Sequence, residues 1–200
     1  MDRKQASEYQ EQDPAVFTPP SSSSLTLVPF IPDGDGWILS DGFLIGVYQR
    51  LLDERLMRVV FWDDSMRSAE DFVGFCKNHH NILTFVFDGQ DCAGFAWLAG
   101  ISGNYAFGHF CFFHNVWGKK TDEIASKYIN YWLSFPGANG PLLDTIIGAV
   151  PGFNKHAHGF VERAGFSRLG IVPSMFKNRR GEREDAVIFY LSRFTHGREK

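Results

Sequence analysis

NKHAHGFVERAGF, residues 154–166, carries a complete helix and the corner that ends it. Asn154 is an N-cap residue whose short side chain can take a backbone N–H of the first turn. Ala157, Phe160, Val161 and Ala164 then fall on one face, and Gly165 is the residue expected just past a helix C-terminus. The small residues let the helix pack flat, and Phe166 delivers an aromatic side chain to the next strand. Upstream, DTIIGAV at 144–150 is the near-continuous apolar run of a strand buried on both faces, and only four positions separate Val150 from Asn154. The unit is strand, tight turn, helix, glycine corner, strand.

Moving outward, FSRLGIV at 166–172 and AVIFYLS at 186–192 read as two last strands around the charged loop NRRGERE. Upstream of 144, Ile124, Tyr128 and Trp132 form one helical row and Ala125, Ile129 and Leu133 the next, in a helix that must end before Pro136 and Gly137. Before it, ILTFVFD, CAGFAWLAGI and YAFGHFCFFH are separated by short Gly-containing turns, which predicts an antiparallel meander. Two further helices precede the meander. One has rows Phe43, Val47, Leu51 and Leu44, Tyr48, Leu52, Leu56; the other opens at Ser68 with Asp71 three residues on, and buries Ala69, Phe72, Val73 and Cys76. LTLVPFI at 25–31 supplies a first strand, stopped by Pro32 and DGDG. The predicted order is β-α-α-β-β-β-α-β-α-β-β: an α/β chain with about seven mostly antiparallel strands in a mixed central sheet, flanked by four helices.

Composition sets the bounds. Two hundred residues, 44% of them hydrophobic, are enough for one domain, placed at 25–194. Residues 1–24 are polar, hold Pro14, Pro19 and Pro20 and finish in SSSS, which predicts a disordered tail, with a short tail also at 195–200. A net charge of -3 gives no basic excess for nucleic acid. No apolar run is long enough to span a membrane and the start has no apolar signal core; with three scattered cysteines suited to reduced core thiols, this predicts a cytoplasmic protein. His79-His80 and His156/His158 do not converge on one ion without distant ligands, so no metal is expected.

The helix-corner segment resembles the fourth-helix signature of the GNAT-type N-acyltransferases: Asn154, Ala157, Gly165 and Phe166 fall where that family places an opening Asn, an Ala and a closing Gly-Phe. The order of elements over about residues 25–193 is the family's as well, and the Gly-x-x-Pro element GIVP at 170–173 is similar to phage- and prophage-encoded members. The resemblance implies an acyl-CoA cosubstrate, held where the fourth and fifth strands diverge, and an amine acceptor that no motif identifies. It places the CoA site at Phe113, Val116, Gly118, Lys119, Lys120 and Thr121, around the start of the third helix, with Asn154 opposite. Two departures stand out. WGKKTDEIA at 117–125 has one glycine where the family has a glycine-rich turn, and puts Asp122 and Glu123 beside the expected phosphates. Val161 stands where many members carry the Tyr that protonates the leaving thiolate.

Acyl transfer needs a neutral amine, hence a base, and a donor for the carbonyl oxygen as it becomes anionic. The resemblance implies that the donor is a backbone amide of the fourth strand, YAFGHFCFFH. Strand alternation puts Phe107, His109, Cys111 and Phe113 on one face and Gly108, Phe110, Phe112 and His114 on the other. His109 is the first candidate base, because histidine titrates near neutral pH and lies mid-strand; His114, at the strand's end, is the second. A satisfied core histidine is the competing reading for both. Cys111 reads as a packed, inert thiol. Two functions remain open: an acyl-CoA-dependent N-acyltransferase, or a binding or interaction module that keeps the fold without catalysis. An oligomer is compatible with either.

Overall fold

A computed structural model describes residues 25–32, 39–138 and 140–195, with the side chain of Lys119 outside that description. The tail expected over 1–24, the DGDG turn and nearly all of the C-terminal tail lie outside the described residues. Strand β1 (Leu25–Pro29) is followed by helices α1 (Asp41–Asp53), α2 (Met57–Val60) and α3 (Ala69–Cys76). Strands β2 (Ile82–Asp88), β3 (Asp91–Ser102) and β4 (Tyr105–Phe112) form the expected meander and lead into α4 (Lys119–Leu133). A two-residue hairpin, β5 (Pro136–Gly137) and β6 (Gly140–Pro141), precedes β7 (Thr145–Pro151), α5 (Lys155–Arg163), β8 (Ser167–Lys177) and β9 (Arg183–Ser192).

The seven long strands lie in the order β1-β2-β3-β4-β7-β9-β8. All neighbours are antiparallel except β4 and β7, which run parallel. Helices α1–α3 cover one face over Phe72, Phe85, Phe95, Trp97 and Phe113. Helices α4 and α5 cover the other, over Leu98, Ile146 and Phe189, with Tyr128 and Trp132 fully buried. Each such side chain taken wholly out of water contributes roughly 2–3 kcal/mol before entropy is charged, so these two layers hold the sheet.

Local chemistry sets the helix ends. Ser68 and Asp71 form a reciprocal capping box at α3, each side chain accepting the other's backbone N–H at 3.2 Å. Asn154 Oδ1 accepts the N–H of Ala157 at 3.1 Å, and Gly165 takes φ 95° at the end of α5, a conformation that costs other residues a Cβ clash.

The elements differ from the sequence reading in several places, among them the short β5–β6 hairpin. The helices number five among the described residues, because residues 57–60 form the short helix α2. The buried stripe of α1 is Leu44, Val47, Tyr48 and Leu51, and Leu52 is 43% exposed. The i, i+3, i+4, i+7 spacing of the stripe turns Leu52 away, and Leu56 reaches the core only because the chain bends after Asp53. Strand β8 runs on to Lys177, longer than its apolar run, since its edge position asks for little burial.

Candidate active site at the split between β4 and β7

Strand β4 is paired with β3 along its whole length, from Tyr105 opposite Ser102 to Phe112 opposite Gly94, across one bulge. Its pairing with β7 stops after three positions, Tyr105 with Thr145, Ala106 with Ile146 and Phe107 with Ile147. Beyond that β7 continues to Pro151 on β9 alone. Residues 108–112 of β4 therefore have a strand on one side and an opened seam on the other. The backbone groups facing the seam have no ladder partner there.

Gly108 sits where the strands part. A Cβ at this position would stand 2.7 Å from Ile146 Cγ2 and 3.2 Å from the Trp132 ring, so only glycine fits. Past it, Phe110 lies 5.1 Å from Trp132, and Phe110 and Phe112 both meet Phe160 of α5 edge-on at 5.6 Å. The α4/α5 side of the seam is thus lined with aromatic rings.

His109 points to the opposite face, as alternation requires, and lies flat on Trp97 at 4.6 Å with 8° between planes. Its ring is only partly open to solvent, and burial pushes its pKa down to about 4, so the imidazole is neutral at pH 7. Neither ring nitrogen has a hydrogen-bond partner among the described residues. Cys111 on the same face is buried, and desolvation pushes its thiol far above the usual range. His114 has left the strand for a single 3-10 turn over His114–Val116, so it does not share a face with Gly108, Phe110 and Phe112. The end of β4 separates the two histidines.

The mouth of the seam is the start of α4. Gly118 is its N-cap with φ 104° and offers no side-chain cap, so the first amides of the helix carry no capping side chain. Thr121 Oγ1 donates to Val116 O at 2.9 Å, which ties the turn to the helix. Lys120 Nζ is ion-paired with Asp88 at the end of β2. Asp122, the wrong sign beside a phosphate, is met by Arg163 Nε of α5 at 3.3 Å to both carboxylate oxygens. Gly118, Lys120 and Thr121 are thus gathered with the backbone of Lys119. Phe113 and Val116 lie beneath them with side chains buried in the two cores. Asn154 heads α5 with its oxygen committed to the cap, leaving its amide nitrogen as the available group. Val161 is buried.

A brace absent from the sequence reading holds this mouth. Arg50 of α1 donates Nε to Glu54 at 2.6 Å, Nη1 to Cys92 O at 2.6 Å and Nη2 to Asn115 Oδ1 at 2.9 Å. Its guanidinium lies 3.9 Å above the Phe113 ring. Glu54 accepts the backbone N–H of His114 at 2.6 Å, with His114 Nδ1 at 3.5 Å. The i,i+4 spacing of Arg50 and Glu54 was visible, but their partners 42 to 65 residues away were not.

The fold built around this seam is shared with solved acetyltransferase structures. The spermidine N-acetyltransferase of Vibrio cholerae, solved with CoA and spermine, superposes with a TM-score of 0.66 over 86% of this chain and 96% of its own, at 18% identity. The fold is that of the GNAT N-acyltransferases. The microcin C7 self-immunity acetyltransferase, solved with acetyl-CoA and AMP, matches the GNAT fold of this chain with a TM-score of 0.63 over 88% of this chain and 98% of its own, at 16% identity. A Salmonella typhimurium acetyltransferase that modifies the N-terminal serine of ribosomal protein L7/L12 gives 0.65 over 86% and 97%, at 13% identity. No family model and no curated protein matches at the level of sequence. Among the described residues no helix is long and apolar enough to cross a membrane, and no three potential metal ligands are gathered.

Proposed function

We propose that this chain is an acyl-CoA-dependent N-acyltransferase that moves an acetyl group onto an amine. The observation that carries the reading is the abrupt end of β4–β7 pairing at Phe107 and Ile147, with the N-terminus of α4 at the mouth. An extended amide-bearing arm such as that of CoA can add to the seam edge of residues 108–112 as a strand would, through backbone hydrogen bonds. Its pyrophosphate then meets the amides at Gly118, Lys119 and Lys120, with Thr121, whose N–H is taken by Gly118 O at 3.1 Å, closing the turn, where the helix dipole favours an anion. Lys120 exchanges Asp88 for phosphate, and Arg163 keeps Asp122 from opposing it. Phe113 and Val116 act from beneath, as the floor of the loop, and Asn154 offers its amide nitrogen.

In the reaction the amine nitrogen attacks the thioester carbon, a backbone N–H on the seam side of β4 takes the developing oxyanion, and the C–S bond breaks. His109, neutral and unpartnered, accepts the proton that the amine loses. With Val161 in place of a phenol, the thiolate leaves unassisted, which its solution pKa of ~8.5–9 allows at neutral pH. His114, held by Glu54, serves the loop and is the reserve base.

Thiol release followed with a panel of amines tests this. The wild type should release thiol, and His109→Ala should be slower by roughly 100-fold with CoA affinity kept. Equal rates would remove His109 as the base. No release with any amine, together with intact CoA binding, would favour the non-catalytic module.

A further inference from the structure

The hairpin joining β8 to β9 combines rigidity with unpaired positive charge. Asn178, buried, fixes its turn: its N–H donates to Glu182 O at 3.0 Å, its Oδ1 accepts the N–H groups of Arg180 and Glu182 at 3.0 Å, and its Nδ2 donates to Glu182 Oε2 at 2.5 Å. Gly181 completes the turn with φ 84°. This turn holds Lys177, Arg179, Arg180 and Arg183 exposed, and none of the four has an ion-pair partner among the described residues. The carboxylates of the same hairpin are turned to hydrogen bonds within the fold: Glu182 to Asn178, Glu184 to the N–H of Phe153 at 3.0 Å, and Asp185 to the N–H of Ser174 at 2.8 Å. Four outward cations against three carboxylates tied to N–H groups leave this hairpin a small positive excess in a chain of net charge -3.

The base of the hairpin connects through aromatic contacts to the face that carries His109. Phe176 of β8 meets Trp62 edge-on at 6.4 Å, and Trp62 meets Phe153 at 6.1 Å. Its neighbour Phe61 stacks on Trp97 at 5.9 Å, and Trp97 stacks on His109. Beside the cations, β8 is the outer strand of the sheet among the described residues, with one edge paired to none of their strands and with Leu169, Ile171, Val172 and Met175 among their most exposed large apolar side chains. Exposed apolar residues along a free strand edge suit an extended polypeptide, and the adjoining cations suit acidic side chains on it.

We propose that the acceptor is an amino group on an extended acidic polypeptide, docked along β8 with its carboxylates on Lys177, Arg179, Arg180 and Arg183. This rests on the acyltransferase reading for the transfer itself, but docking is measurable without it. The test is fluorescence anisotropy of a labelled peptide of about ten residues, half of them Asp or Glu and the rest Ser, Ala and Leu, against the full chain, with acetyl-CoA binding measured separately. Binding that weakens with salt is expected, and it should fall by roughly tenfold or more in Arg179→Gln/Arg180→Gln. Lys127→Glu on α4, which changes net charge by the same amount, should leave peptide binding within about twofold, since exposed charges beyond a Debye length are screened.

Equal loss in both variants would mean a general charge effect and overturn the site. So would binding of a Lys-rich peptide as tight as the acidic one, or O-phosphoethanolamine displacing the peptide at equal concentration, which would make the ligand a small anion. A self-association through β8 that Ile171→Lys abolishes, without peptide binding, would assign the surface to a second copy of the chain. Peptide docking without CoA binding would sink the acyltransferase reading and leave only the docking surface; CoA binding without peptide docking would overturn this proposal and spare that reading.

Discussion

The two sides of strand β4 differ in one respect that makes the site. Toward β3 the ladder runs the full strand, from Ser102–Tyr105 to Gly94–Phe112. Toward β7 it ends after Phe107–Ile147, although β7 itself continues for four more residues on β9. The closed side is ordinary sheet. The open side leaves a strand edge inside the molecule, normally a liability, and an aromatic wall of Phe110, Phe112 and Phe160 lines it. A binding seam here needs no unusual residue, only a place where pairing is made to stop.

The stop is at Gly108, which gives the largest expected effect. Gly108→Ala should cost roughly 2–3 kcal/mol by denaturant unfolding, because the new methyl meets Ile146 and the buried Trp132 ring. Gly148→Ala, across the seam on β7, meets nothing nearer than the Phe189 Cβ at 3.8 Å and should cost well under half as much. Equal costs would mean that the seam is not pinned at Gly108.

His109 has a folded pKa of about 4 against about 6.5 when unfolded, so between those values the unfolded chain binds the extra proton. Stability is unaffected above the unfolded value and falls as pH drops from about 6.5 to about 4. The loss is on the order of 2 kcal/mol, less than the full shift would give because the ring keeps some contact with solvent. His109→Gln should flatten that part of the pH–stability curve, and an unchanged slope would show that His109 is not what titrates.

Much of this architecture was legible from sequence, for identifiable reasons. The α5 corner was readable because capping by Asn154 and reversal at Gly165 are local chemistry, and the alternation of His109 and Cys111 against Gly108 and Phe110 follows from the strand period. That β4 and β7 diverge was implied by the family resemblance, but the point at which their ladder ends was not readable, because pairing between residues 40 apart depends on tertiary packing. Leu52 misled for a related reason: four-residue spacing admits two adjacent rows, and packing against the sheet decides which is buried. The site was the less legible part. Phe113 and Val116 can be placed near the mouth by position, but that their side chains enter the cores needs the fold. Arg50 and Glu54 sit on a helix far from the mouth in sequence and act there only through tertiary contacts.

That brace gives a smaller effect. Arg50→Ala should weaken acetyl-CoA binding by roughly tenfold, since the hydrogen bond to Asn115 in the loop before α4 is lost together with the hold on Glu54, which accepts the His114 N–H, while melting temperature drops only modestly. Arg50→Lys should not restore affinity, because an ammonium cannot reproduce the planar fork. Full affinity in Arg50→Ala would mean that the loop holds its shape unaided.

The central claim is that the seam and the head of α4 are one CoA site, and amide chemical-shift mapping during an acetyl-CoA titration tests it most directly. The account predicts saturable binding in the micromolar range, weakened by salt, with the largest shifts at residues 108–112 and 118–121. Shifts confined to other surfaces, or no binding at millimolar acetyl-CoA, would contradict it.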